Sequence, residues 1–86
     1  MNLAEDTLTF AEAKRDFDRG LLASSWLERQ PMSDEWCVMF RSALRSSSTY
    51  MLISTRDRET RRFKSLSAAL NMIRDIGFKA ERLDVK

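Results

Sequence analysis

Apolar side chains recur at two different periods along this chain, and the change of period predicts the order of its elements. Phe10, Ala13, Phe17 and Leu21 fall at helical spacing just after Thr9. The Thr9 hydroxyl can cap free backbone N–H groups while Glu12, three residues on, reaches back in a capping box. The first helix therefore begins near Phe10, and Gly20 supplies a left-handed stop. A second helix is predicted with Ser65 as its cap, Leu66, Ala69, Leu70 and Ile73 on one apolar stripe, and Gly77 at its end.

Between the helices the runs shorten. Trp36-Cys37-Val38-Met39-Phe40 and Tyr50-Met51-Leu52-Ile53 are rich in aromatic and β-branched residues, are separated by a polar segment, and read as paired antiparallel strands. Ala23 to Arg29 predicts a strand that stops before Pro31, which removes a backbone donor. Thr60 to Lys64 reads as a short edge strand at a hairpin, because its charges resist pairing with another sheet, and Phe78 to Val85 predicts a last strand. The expectation is an α+β fold with an antiparallel sheet of four to five strands and two helices, in the order α-β-β-β-β-α-β. Hairpin-linked strands with helices near the two ends argue against repeated βαβ units. Residues 1–86 are expected to form a single domain, with residues 1–8 as a flexible N-terminus.

Successive strand residues point to opposite sides, so a sheet covered on one face should alternate apolar and polar residues. Here Trp36, Val38 and Phe40 oppose Cys37 and Met39, while Tyr50 and Leu52 oppose Met51 and Ile53. Two short helices shield one face, which leaves an apolar patch that a monomer seldom exposes. The pattern predicts a homodimer, or docking to another protein, through a face carrying Cys37, Met39, Met51 and Ile53, with Trp26 as an exposed anchor. One helix on each face, closing a monomer, is the competing arrangement.

Length and composition narrow the class. Eighty-six residues support one core and not two, and 43% hydrophobic with 33% charged residues describe a folded unit. A lone cysteine, no leader pattern and no apolar run near the roughly 20 residues that span a bilayer predict a cytoplasmic protein that does not enter the membrane. The chain contains no histidine, which removes the commonest general base and metal ligand. Cys37 sits in an apolar run and reads as core, and neither glycine belongs to a phosphate-cradling loop. The carboxylate pairs Glu12/Asp16, Asp34/Glu35 and Asp57/Glu59 could serve a Mg²⁺-dependent nuclease with a nearby lysine, a third reading, but solvated helix faces and turns produce the same spacing far more often. No cofactor, no metal and no catalysis are expected.

Charge is distributed unevenly. Residues 1–40 hold four lysines and arginines against eight acids, and residues 41–86 hold eleven against five. The basic set Arg41, Arg45, Arg56, Arg58, Arg61, Arg62 and Lys64 gathers around the hairpins and the start of the second helix. A planar guanidinium donates two parallel hydrogen bonds to phosphate, so this set is the candidate nucleic-acid contact. Asp57 and Glu59 interleave it, as in an ordinary solvated hairpin.

Phe10-Ala11-Glu12-Ala13-Lys14, Phe17, Gly20, Glu28-Arg29, Trp36, Thr55-Arg56, Arg62-Phe63-Lys64-Ser65-Leu66, Ala68-Ala69 and Ile76-Gly77-Phe78 resemble the pattern of small accessory proteins encoded beside plasmid partition or replication genes. The resemblance spans most of the chain and implies a role in plasmid or mobile-element maintenance in a bacterial cytoplasm, with no catalytic residues to carry over. The resulting expectation is a non-catalytic accessory factor that contacts DNA, or a DNA-bound partition or replication protein, through the basic hairpin region. The alternative is a protein-interaction module, an inhibitor or antagonist of a host complex, that binds through its apolar sheet face.

Overall fold

The computed structural model describes residues 6–45, 48–79 and 84–85. Its elements are β1 (Asp6–Leu8), α1 (Phe10–Asp18), β2 (Leu22–Arg29), β3 (Trp36–Ser42), β4 (Thr49–Leu52), β5 (Arg62–Phe63), α2 (Leu66–Ile76) and β6 (Asp84–Val85). Both helix starts follow from their caps. The Thr9 hydroxyl accepts from the Glu12 N–H at 3.3 Å, and the Thr9 N–H donates to Glu12 Oε1 at 2.9 Å. Ser65 Oγ accepts from the Ala68 N–H at 3.0 Å. Gly20, at φ +74°, ends α1: its N–H reaches the Phe17 carbonyl while the Leu21 N–H reaches that of Asp16.

The α+β class and the two helices are as the pattern predicts, but the sheet is mixed and has six strands. Its order is β1-β4-β3-β2-β6, with β5 also pairing β3. Strands β2, β3 and β4 form the antiparallel centre, whereas β1 pairs β4 and β6 pairs β2 in parallel. Asp6–Leu8 is thus a strand and not part of a flexible terminus, while residues 1–5 lie outside the described residues. The final strand is limited to Asp84–Val85 among the described residues, and Phe78 packs instead against Phe17 and Phe40, with ring centroids 4.6 and 6.3 Å away.

The parallel edges correct the expectation that βαβ units are absent. β1 and β2 run the same way with α1 between them, and the connection passes over β4 and β3. β5, α2 and β6 repeat the arrangement, passing over β3 and β2. Both crossovers travel in the same direction across the sheet, and such connections keep one hand, so both helices belong on one face. That is where they lie. Ala13 of α1 and Ala69, Ile73 and Ile76 of α2 form one cluster with Leu8, Leu22, Leu27, Val38, Phe40, Leu52 and Phe63.

Leu22 reaches this cluster through an irregularity. Leu22 pairs Ser42 and Ser24 pairs Arg41, which leaves Ala23 as an extra residue in β2. Without it, Leu22 would share the face of Ser24 and Trp26; with it, Leu22 turns towards the helices and is buried.

The helices meet at Gly77. This residue has φ +136°, and a Cβ there would lie 2.4 Å from Phe17 Cε1. Gly77→Ala must therefore displace the Phe17 ring and strain the backbone, at a cost of about 1–3 kcal/mol, read as a lower midpoint in urea with an unchanged slope. Glu12 generates a second expectation. The hydrogen bond from the Thr9 backbone, helped by its hydroxyl and by nearby Arg58 and Arg15, holds the Glu12 carboxyl below its usual value. A lowered folded-state pKa gives stability that is present above the unfolded value and lost as pH falls through the folded one. Glu12→Gln should therefore be less stable by about 0.3–1 kcal/mol near neutral pH, with the difference vanishing in acid, as measured by urea unfolding at both conditions.

Candidate nucleic-acid interface

With both helices on one side, strand register alone decides what the other side displays. Asp84 pairs Trp26, Trp26 pairs Met39, Met39 pairs Met51, and Met51 pairs Thr7, which makes one row across β6, β2, β3, β4 and β1. The next row towards the end of β3 holds Ser24, Arg41 and Thr49, and the row towards its start holds Glu28, Cys37 and Arg62.

This helix-free face is apolar at its centre, but little of that centre is open. Cys37, Met39 and Ile53 are buried, at 1%, 3% and 4% exposure, and all three stand outside the cluster under the helices. Trp26 and Met51 are half-buried. Polar side chains bond to or stack on the apolar residues of this centre. The Arg41 guanidinium lies 5.4 Å from the centroid of the Trp26 ring, and the Trp26 Nε1–H donates to Glu28 Oε2 at 2.8 Å. Gln30 Nε2 donates to Cys37 Sγ at 3.0 Å, and the Thr60 hydroxyl donates to Met51 Sδ at 3.0 Å. Of the five predicted interface residues, Cys37, Met39 and Ile53 therefore offer almost no surface in this chain. The anticipated open apolar patch narrows to Trp26 and Met51.

The seven predicted basic residues are all exposed, and they separate into two groups. Arg56, Arg58, Arg61, Arg62 and Lys64 occupy the β4–β5 connection, β5 and the residue after it. Arg41 sits near the far end of β3, with Arg45 in the loop beyond. The rows of Arg62 and Arg41 are separated by the residues from Cys37 to Arg41, about 14 Å at ~3.4 Å per residue. Among the described residues, only Arg62 of this set has an ion-pair partner, Glu35 at 4.0 Å. Arg61 stacks over the Phe63 ring at 5.2 Å.

The β4–β5 connection leaves the sheet and returns to it. β4 pairs residues Met39 to Arg41 of β3, and β5 pairs Trp36 and Cys37 of the same strand. The excursion is closed by the Ile53–Thr60 bridge and by the Arg61 N–H donating to the Leu52 carbonyl at 3.0 Å. Within it, Arg58 takes φ +58°, its N–H bonds the Ser54 carbonyl, and Asp57 Oδ1 accepts from the Glu59 N–H. A cleft of about 550 Å³ opens there, lined by Thr7, Ser54, Arg58, Thr60, Arg61 and Arg62 together with Ile53, Asp57 and Glu59. Thr7, Ser54 and Thr60 escape sequence reasoning because single hydroxyl residues carry no pattern until the β1–β4 pairing brings them together.

No group of acidic, cysteine or histidine side chains among the described residues is arranged to hold a metal ion, and no described helix is long and apolar enough to cross a membrane. Comparison with protein-family models, with curated proteins and with solved structures gives no match to this chain.

Burial pushes the Cys37 thiol above its ordinary value, with the Glu28 carboxylate adding to the shift and the Gln30 hydrogen bond opposing it. A buried, protonated thiol is a poor nucleophile. Cys37 should react with an aromatic disulfide reagent at least ~10-fold more slowly in the native chain than in denaturant, and the native rate should climb only in alkali. Rapid native labelling at neutral pH would contradict this environment.

Proposed function

We propose that this chain is a non-catalytic binding protein that contacts the phosphate backbone of a nucleic acid through the segment from Arg56 to Lys64. The supporting observation is the crowding of five exposed cationic side chains into nine residues at one end of the sheet, with a single long ion pair among them. Asp57 and Glu59 reduce the field, and the Asp57 carboxylate is engaged within the excursion, accepting from the Glu59 N–H. A connection closed by its own hydrogen bonds presents its arginines with less ordering cost on binding than a loose loop would.

The resemblance to plasmid accessory proteins supports a role in partition or replication of a mobile element, with DNA or a DNA-bound protein as the partner. The competing module, which would dock a host protein on the sheet face, has less support, since Cys37, Met39 and Ile53 are covered by their own chain. A dimer built on that face meets the same obstacle.

Phosphate contacts release counterions, so affinity should fall steeply and linearly on a log–log plot against salt. In fluorescence anisotropy with a labelled oligonucleotide, the double variant Arg56→Glu, Arg61→Glu should lose at least ~10-fold in affinity at low salt. Its salt slope should be shallower by about 2. No retention of DNA or RNA at low salt by the parent chain would end this reading.

A further inference from the structure

We propose that the helix-free face is a platform for single-stranded nucleic acid, with the Trp26 indole as the surface on which a base stacks and Arg41 and Arg62 holding phosphates on either side. The inference rests on the reading that the chain binds nucleic acid, and adds to it the strand form and the face engaged.

The register supplies the layout. Trp26 stands in the middle row beside Met39, with Arg41 in the row on one side and Arg62 in the row on the other. A single strand that crosses the face diagonally from Arg41 to Arg62 passes over Met39 and Cys37, which are buried and so form a closed, shallow floor. The run of about 14 Å matches a short stretch of extended single strand. Glu28 lies on the β2 side of the Arg62 row, and its charge repels phosphate there, which favours the diagonal course over one along β2.

Trp26 is prepared for stacking. Its Nε1–H is held by Glu28, which fixes the ring orientation before any ligand arrives, and the Arg41 guanidinium stacked over one side of the ring is a planar cation that a base can stack on or displace. Stacking on aromatic rings and guanidinium planes is how unpaired bases are bound without sequence preference, and paired bases in a duplex do not offer their faces. A second protein copy fits less well. Among the described residues, the partly exposed apolar groups of this face are Trp26 and Met51 alone, in rows with Ser24, Thr49, Thr7 and the charged residues Glu28, Arg41, Arg62 and Asp84. That is too little apolar surface for the buried centre of a stable interface.

The test compares a labelled oligothymidine with a duplex of equal length by fluorescence anisotropy on the full chain. The single strand should bind more tightly. Trp26→Ala should weaken it about 10-fold and leave duplex affinity unchanged, while Trp26→Phe retains most of the binding. Arg41→Ala, an exposed change that leaves the fold intact by circular dichroism, should also weaken the single strand selectively. Duplex and single strand bound equally, with Trp26→Ala and Arg41→Ala both silent, would overturn this inference and leave the arginine-segment reading standing. Failure of both probes to bind would remove the two together. A dimer in light scattering that excludes the single strand and dissociates in Trp26→Ala would assign the face to a second copy and equally overturn the proposal.

Discussion

Strand β3 must be enclosed on both sides, and the chain achieves this with different materials on each. Val38 and Phe40 face the helices and are fully buried among Ala13, Ala69, Ile73 and Ile76, each large side chain contributing about 1.5–3 kcal/mol through removal from water. Cys37 and Met39 face away and have no helix above them, yet they are almost as inaccessible. Gln30 Nε2 donates to the Cys37 sulfur, and Trp26 stands beside Met39 across the β2–β3 pairing. Every other feature of the fold follows from this asymmetry, because two crossovers of one hand and one direction commit both helices to the same side.

The asymmetry also determines where polar chemistry accumulates. A helix-covered face is filled with aliphatic and aromatic contacts, whereas a face closed by amphipathic side chains ends in charged and hydrogen-bonding heads. Trp26 donates to Glu28, Arg41 stacks over Trp26, Thr60 donates to Met51 and Arg62 pairs Glu35, so polar groups are linked to one another and to the apolar residues across this face.

Much of the local structure was legible in the residues. Thr9 with Glu12, Ser65, Gly20 and Gly77 mark helix ends through interactions spanning only a few positions, and the structure places each of them as caps and stops. The apolar runs of β3 and β4 were equally plain. What could not be read depends on distant pairing. Asp6–Leu8 holds one apolar residue and becomes a strand only because β4 lies beside it, and its parallel direction reflects a helix crossing that no local pattern encodes. The double-sided apolar character of residues 36–40 correctly signalled a need for cover. It could not say that Gln30 reaches Cys37 or that Arg41 stacks over Trp26, because a polar side chain that turns inwards and one that stays solvated are written with the same letters. Likewise the basic residues between Arg56 and Lys64 were visible as a cluster, while the removal of Arg41 and Arg45 to the other end of β3 is a matter of register.

The excursion between Leu52 and Arg62 bears on how such a protein can change. β4 and β5 occupy the same side of β3, so the chain departs from one position on the sheet and rejoins the next, and the Arg61 to Leu52 hydrogen bond seals the gap. Residues inside that closure can be lengthened, shortened or recharged without altering which residues of β3 are paired, since loop closure costs grow only slowly with length. The segment thus behaves as an interchangeable attachment on a constant frame, whose length and charge selection can change while leaving the folding instructions untouched.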